Sequence, residues 1–144
     1  MSAAQINKAT GSCLCGAVSY KISGTMRKVV YCHCAQCRKT SGHFVAATAV
    51  DDDQLEFAED SGLTWYKSSD IADRGFCNRC GSSLFWRPGH SKYMAVMAGG
   101  LDAPTHLASR EHIHVADASD YYDIADGLPQ HLHEHEDLWE DNRK

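Results

Sequence analysis

The chain has 144 residues, 43% hydrophobic and 23% charged, a length and balance that suit one globular domain with a real core. Its formal net charge is −5, and its 14 Lys and Arg are spread thinly, which argues against the basic patch that a nucleic-acid backbone demands. No apolar run approaches the roughly 18 residues of a membrane span, and the polar start, Met1 to Thr10, lacks the apolar stretch of a secretory signal. These features predict a cytoplasmic protein, kept where thiols stay reduced, with neither nucleic acid nor membrane as partner.

In chain order, residues 1–10 read as a flexible N-terminus, residues 11–129 as one domain, and residues 130–144 as an acidic, His-rich tail. Val18, Tyr20 and Ile22 alternate with Ser19 and Lys21, the period of a strand. Val29 to Tyr31 is a second short strand. Phe44 to Val50 is a mostly apolar run ended by the turn Asp51-Asp52-Asp53. Leu55 and Phe57 alternate next, then Thr64 to Lys67, Ser83 to Arg87, Tyr93 to Ala98 and His112 to Val115. Two brief stretches read as helical, Ala35 to Thr40 and part of the tail from His131. Many short strands with turn signals between them predict a mostly antiparallel β protein. His131, His133 and His135 read as part of a solvated tail rather than as metal ligands.

Seven cysteines are many for a chain of this size, and an odd number leaves one unpaired in any disulfide framework. Cys13 and Cys15 are one residue apart, so a bridge between them would be strained, but both can point at one metal ion. The cysteines form three groups: Cys13 and Cys15; Cys32, Cys34 and Cys37; Cys77 and Cys80. Cys77-Asn78-Arg79-Cys80-Gly81 has the form of a zinc knuckle, whose two-residue spacing lets one turn present both sulfurs. A structural Zn²⁺ wants four thiolates, so Cys13, Cys15, Cys77 and Cys80 are expected to close one site and staple distant parts of the chain. Joining Cys34 and Cys37 to Cys77 and Cys80 instead would scatter the other three cysteines, a poorer use of the ligands.

Cys32, Cys34 and Cys37 then stand alone as a second Zn²⁺ site, with His33 pointing away. Three protein ligands and a vacancy is the pattern of catalytic zinc. Three thiolates overcompensate the ion and leave the unit near −1. Its bound water should be less acidic than in an all-histidine site, where the pKa falls to about 7. A thiol, softer and with a pKa near 8.5, suits such an ion better than water does.

Other residues leave alternatives open. Arg38 and Lys39 either offset the site's charge, or hold a carboxylate, or are ordinary surface cations. Trp65, Tyr66, Phe76, Phe85 and Trp86 either roof the metal pocket or belong to the core. His106, His112 and His114 are candidate general bases or structural hydrogen-bonding groups. Gly42-His43-Phe44 is placed to narrow the mouth of the open site, and Asp102 sets a turn.

Three segments carry a family resemblance: Gly11-Ser12-Cys13-Leu14-Cys15-Gly16, Tyr31-Cys32-His33-Cys34-Ala35-Gln36-Cys37-Arg38-Lys39-Thr40-Ser41-Gly42, and Arg74-Gly75-Phe76-Cys77-Asn78-Arg79-Cys80-Gly81-Ser82-Ser83-Leu84-Phe85. Ala98-Gly99-Gly100-Leu101-Asp102 and His112-Ile113 add to them. The chain resembles the glutathione-dependent formaldehyde-activating enzymes, a family that also includes centromere protein V. The resemblance implies small antiparallel β-sheets leaning together as a zinc-stabilised β-tent. It implies two Zn²⁺ per chain, the four-cysteine one structural and the three-cysteine one catalytic. It also implies a carbon–sulfur lyase that joins formaldehyde and glutathione to S-(hydroxymethyl)glutathione, although glutathione itself need not be the thiol here. The competing expectation is a non-enzymatic, zinc-stabilised interaction module.

Overall fold

The computed structural model describes residues 8–89 and 91–134. Ten strands and one helix follow in the order β1 (Lys8–Ser12), β2 (Ser19–Ser23), β3 (Val29–Cys32), α1 (Ala35–Ser41), β4 (Val45–Asp51), β5 (Leu55–Glu59), β6 (Leu63–Lys67), β7 (Ala72–Cys77), β8 (Ser83–Pro88), β9 (Tyr93–Met97) and β10 (Ser109–Ile113). They form a three-stranded sheet, β1-β2-β5, and a seven-stranded sheet, β10-β3-β4-β9-β8-β7-β6.

The main core lies between the two sheets, which close over it as the sides of a tent. Tyr20, Ile22, Leu55 and Phe57 of the small sheet meet Val50, Phe85, Met94 and Val96 of the large one. Phe85 is the hub, in ring contact with Tyr20, Phe57 and Trp65. Alternation along each strand assigns the faces. Val50 turns to this core while Val45 and Ala47 of the same strand turn to the opposite face of the large sheet. Met94 and Val96 likewise point inward, whereas Ala95 and Met97 point outward. That outward face carries a second apolar cluster with Cys32, Cys34 and Cys37.

The mostly β architecture is as expected, with three differences. β10 runs parallel to β3, so the large sheet is mixed rather than wholly antiparallel. Its parallel partner lies far away in the chain, and residue patterning along one strand carries no information about direction. The first strand starts at Lys8, inside the stretch read as a flexible start, because its backbone pairs with Ser19–Ser23. The stretch after Pro129 is not helical over the described residues: the His131 N–H donates to the His112 carbonyl, the His112 N–H donates to the Pro129 carbonyl, and the His133 carbonyl accepts from the His114 N–H. These bonds cover the outer edge of β10, which would otherwise present unpaired groups to water. His135 and the rest of the tail lie outside the described residues.

Candidate metal centres and the adjoining cavity

Cys13 and Cys15 sit in the loop that joins β1 to β2, and Cys77 and Cys80 bracket the turn from β7 to β8. The fold brings all four sulfurs within 4.8 Å of one another. Four thiolates on one ion, with bonds of about 2.3 Å, stand about 3.8 Å apart at the corners of a tetrahedron. Cys13–Cys15 and Cys15–Cys77 sulfur separations are both 3.7 Å. Backbone N–H groups of Val18 and Arg79 point at the Cys13 and Cys77 sulfurs from 3.3 and 3.4 Å, as suits a thiolate. The Ser82 hydroxyl and then its backbone N–H bring the Cys80 thiol down to about 5. Gly81 turns the chain at a φ of 80°. Gly62 backs the cluster so closely that a Cβ there would stand 2.9 Å from the Cys77 sulfur.

Cys32 ends β3, Cys34 caps the N-terminus of α1, and Cys37 lies one turn into that helix. Their sulfurs form a second group within 4.8 Å. The Cys37 backbone N–H donates to the Cys34 sulfur at 3.4 Å. Bonds from Cys32 and Cys37 hold the Cys34 thiol far down, to about 2, while the Cys34 and Cys37 sulfurs push Cys32 up. Three thiols this close lose their first proton easily, but the later ones leave only if a cation joins them. The donor set therefore fits a soft divalent ion. None of the seven cysteines is in a disulfide.

This second group opens on a cavity of about 510 Å³ on the outward face of the large sheet. Val30, Val45, Ala47, Trp86, Ala95, Met97 and Ile113 supply its apolar wall. Two arginines stand in that wall, Arg27 and Arg74, only 3% and 5% exposed. Arg74 Nη2 lies 3.8 Å from the Cys37 sulfur and 3.5 Å from Gln36 Oε1, and its buried Nε has no hydrogen-bond partner. Arg27 donates from Nη2 to the Ala47 carbonyl at 2.9 Å and from Nε to the Lys28 carbonyl at 3.2 Å. Burial pulls its guanidinium down to about 10. The four-cysteine cluster contributes nothing to this cavity.

The other candidates separate clearly. His114 lines the cavity; His106 and His112 do not. His112 instead hydrogen-bonds His33 at 2.8 Å and the Asp126 carboxylate at 2.7 Å. His33 is fully buried on the side away from the sulfurs, its other ring nitrogen bonded to the Tyr122 hydroxyl. This chain of four side chains fixes the backbone between Cys32 and Cys34. Arg38 bonds the Ser119 hydroxyl, Lys39 is exposed, and neither lines the cavity. Among the aromatics, Trp86 lines the cavity, Phe85 and Trp65 belong to the inter-sheet core, and Tyr66 packs on Phe76 away from both. His43 and Phe44 do not narrow the mouth: they pack against Tyr121 and Tyr122. Asp102 accepts from the Thr10 hydroxyl at 2.6 Å and so ties its turn to β1. Arg27 and Arg74 are the residues that patterning missed, and the signal at Arg74 is a cation three residues before the Cys77–Cys80 pair.

Among the described residues no helix is long and apolar enough to cross a membrane. The family model of the glutathione-dependent formaldehyde-activating enzyme matches residues 8–117. An uncharacterized lyase of Schizosaccharomyces pombe is 32% identical over 120 residues, covering 80% of this chain and 84% of its own length. A crystal structure of a Rhodobacter sphaeroides protein matches with a TM-score of 0.56 over 67% of this chain and 91% of that one. Its identity is 22%, so that likeness concerns the fold alone. With the match running from β1 past β10 and through all three cysteine groups, the chain belongs to the family of glutathione-dependent formaldehyde-activating enzymes.

Proposed function

We propose that the protein is a zinc-dependent enzyme of the carbon–sulfur lyase type, joining a small thiol to an aldehyde or parting their adduct, as in S-(hydroxymethyl)glutathione synthesis. The observation that carries this reading is the asymmetry of the two cysteine clusters. One opens directly into a large cavity, and the other lies against the inter-sheet core and lines none of that cavity. Cys13, Cys15, Cys77 and Cys80 would hold a structural Zn²⁺, and Cys32, Cys34 and Cys37 a reactive one. A Zn²⁺ with three thiolate ligands keeps a fourth position for a thiol and helps it ionise.

The chain's own residues supply the rest. The apolar wall excludes water from a carbonyl carbon, and Arg74 places a positive charge beside Cys37, against the excess negative charge of the sulfurs. His114 stands in the wall where an imidazole can take the thiol proton and return it to the carbonyl oxygen. In the joining direction the sulfur bonds to the carbonyl carbon, and the π pair of the C=O bond receives that proton. Seven unbridged cysteines suit a reducing compartment such as the cytoplasm.

The test is exchange spectroscopy by nuclear magnetic resonance on formaldehyde and a panel of thiols, glutathione first, with metal content measured on the same samples. Wild type should speed formation and breakdown of the adduct, and Cys34→Ser should not. Two bound zinc ions with no acceleration for any thiol would replace this reading with an interaction module.

A further inference from the structure

We propose that Arg27 is an anion anchor at the inner wall of the cavity, and that the thiol substrate carries a carboxylate which Arg27 binds. The proposal rests on the thiol reading of the three-cysteine cluster. A buried charge is expensive unless it is paired. Arg27 is 3% exposed, yet among the described residues no carboxylate lies within ion-pairing distance of it, and its recorded partners are two backbone carbonyls. Glu111, whose charge acts on Arg27 across a distance, is itself engaged by Arg110 at 3.7 Å and His131 at 3.3 Å. Asp70 and Glu134 also line the cavity, but both are exposed and neither neutralises the buried guanidinium.

The two buried arginines divide the work. Arg74 stands against Cys37 and is occupied with the charge of the sulfur cluster. Arg27 lines the same cavity, and among the described residues no carboxylate forms an ion pair with it. Its Nη2 is bonded to Ala47, which pairs with Val30, while Cys32 pairs with Val45. Those two rungs of the sheet are two residues apart, or about 7 Å along the strand. A molecule with a thiol at one end and a carboxylate a few bonds away can therefore touch both. A guanidinium meets a carboxylate with two parallel N–H bonds, which an alcohol or amide cannot equal.

The experiment is calorimetric titration of the metal-bearing protein with three probes: 3-mercaptopropionate, 3-mercapto-1-propanol and propionate. Wild type should bind the thiol acid at least about tenfold more tightly than the thiol alcohol, the gain expected of a charge-assisted pair. Arg27→Gln should bring that ratio close to one and leave the affinity for the alcohol unchanged. Should this variant fail to fold, Arg27→Lys, which keeps the charge but loses the paired geometry, should cut the ratio several-fold. Equal affinity of wild type for the two thiols overturns the anchor and leaves the thiol site standing. A preference that survives unchanged in either variant also overturns it. If neither thiol binds better than propionate, the thiol reading fails, while an Arg27-dependent affinity for propionate still upholds the anchor. No binding of any probe overturns both.

Discussion

Replacing Cys80 with Ser and, separately, Cys34 with Ser should damage the protein to very different extents, and the difference can be worked from chain separation. A metal held by Cys15 and Cys77 closes a loop of 62 residues, whereas Cys34 and Cys37 are three apart. Loop-closure entropy scales as (3/2)RT ln n, so the longer loop is worth about 2.7 kcal/mol more to the folded state. For a chain of this length each kcal/mol moves the melting temperature by about 2–4 °C, which makes the expected gap about 5–11 °C from loop closure alone. Metal affinity that serves as folding energy at the closed site should widen it. The assay is thermal unfolding followed by circular dichroism, with zinc counted on each sample. Cys34→Ser should remain folded with about one zinc fewer, and Cys80→Ser should melt far lower or fail to fold. Equal losses for the two variants, or an unshifted Cys80→Ser, would sink the division into a structural and a reactive site.

Glutathione or a smaller thiol should protect the second zinc of wild type against mild chelation, but not in Cys34→Ser, as read by zinc release to a colorimetric chelator. Gly62→Ala should destabilise by about 1–3 kcal/mol, since its Cβ would press on the Cys77 sulfur at 2.9 Å and the Ala17 Cβ at 2.8 Å; urea unfolding measures this. His112→Ala should cost about 1–3 kcal/mol by leaving the buried His33 nitrogen without its partner, and should quicken zinc exchange at the open site. An unchanged urea midpoint together with an unchanged exchange rate would remove His112 from any positioning role.

Ligand chemistry and local patterning were legible in the chain. Metal-ligand spacing is short-range: Cys77 and Cys80, or Cys32, Cys34 and Cys37, bring their sulfurs close enough through a single turn that they could hold one ion. Joining Cys13 and Cys15 to the distant pair needed only the count of ligands a closed site takes. Period-2 alternation likewise marked Val18 to Ile22 as a strand, because burial of one face is written into that strand by itself, and Tyr93 to Ala98 read as a strand from its short apolar run. Lys8–Ser12 and Ala72–Cys77 escaped because Lys, Thr, Gly, Asp and Arg dilute that pattern, and pairing with neighbours decides their state.

Everything that depends on which strand lies beside which was settled by the tertiary structure. His112, on the strand paired with β3, turns toward His33 and Asp126, while His114, just past the end of β10 at a φ of 55°, lines the cavity, although the two histidines are only two residues apart. Arg27 and Arg74 are 47 positions apart and share no motif, yet the order β3-β4-β9-β8-β7 sets both into one wall beside the three-cysteine cluster. A side chain's residue type and its spacing to near neighbours travel with the chain. Its long-range partners exist only once the sheet has closed, and at this site they set the charge around the sulfurs.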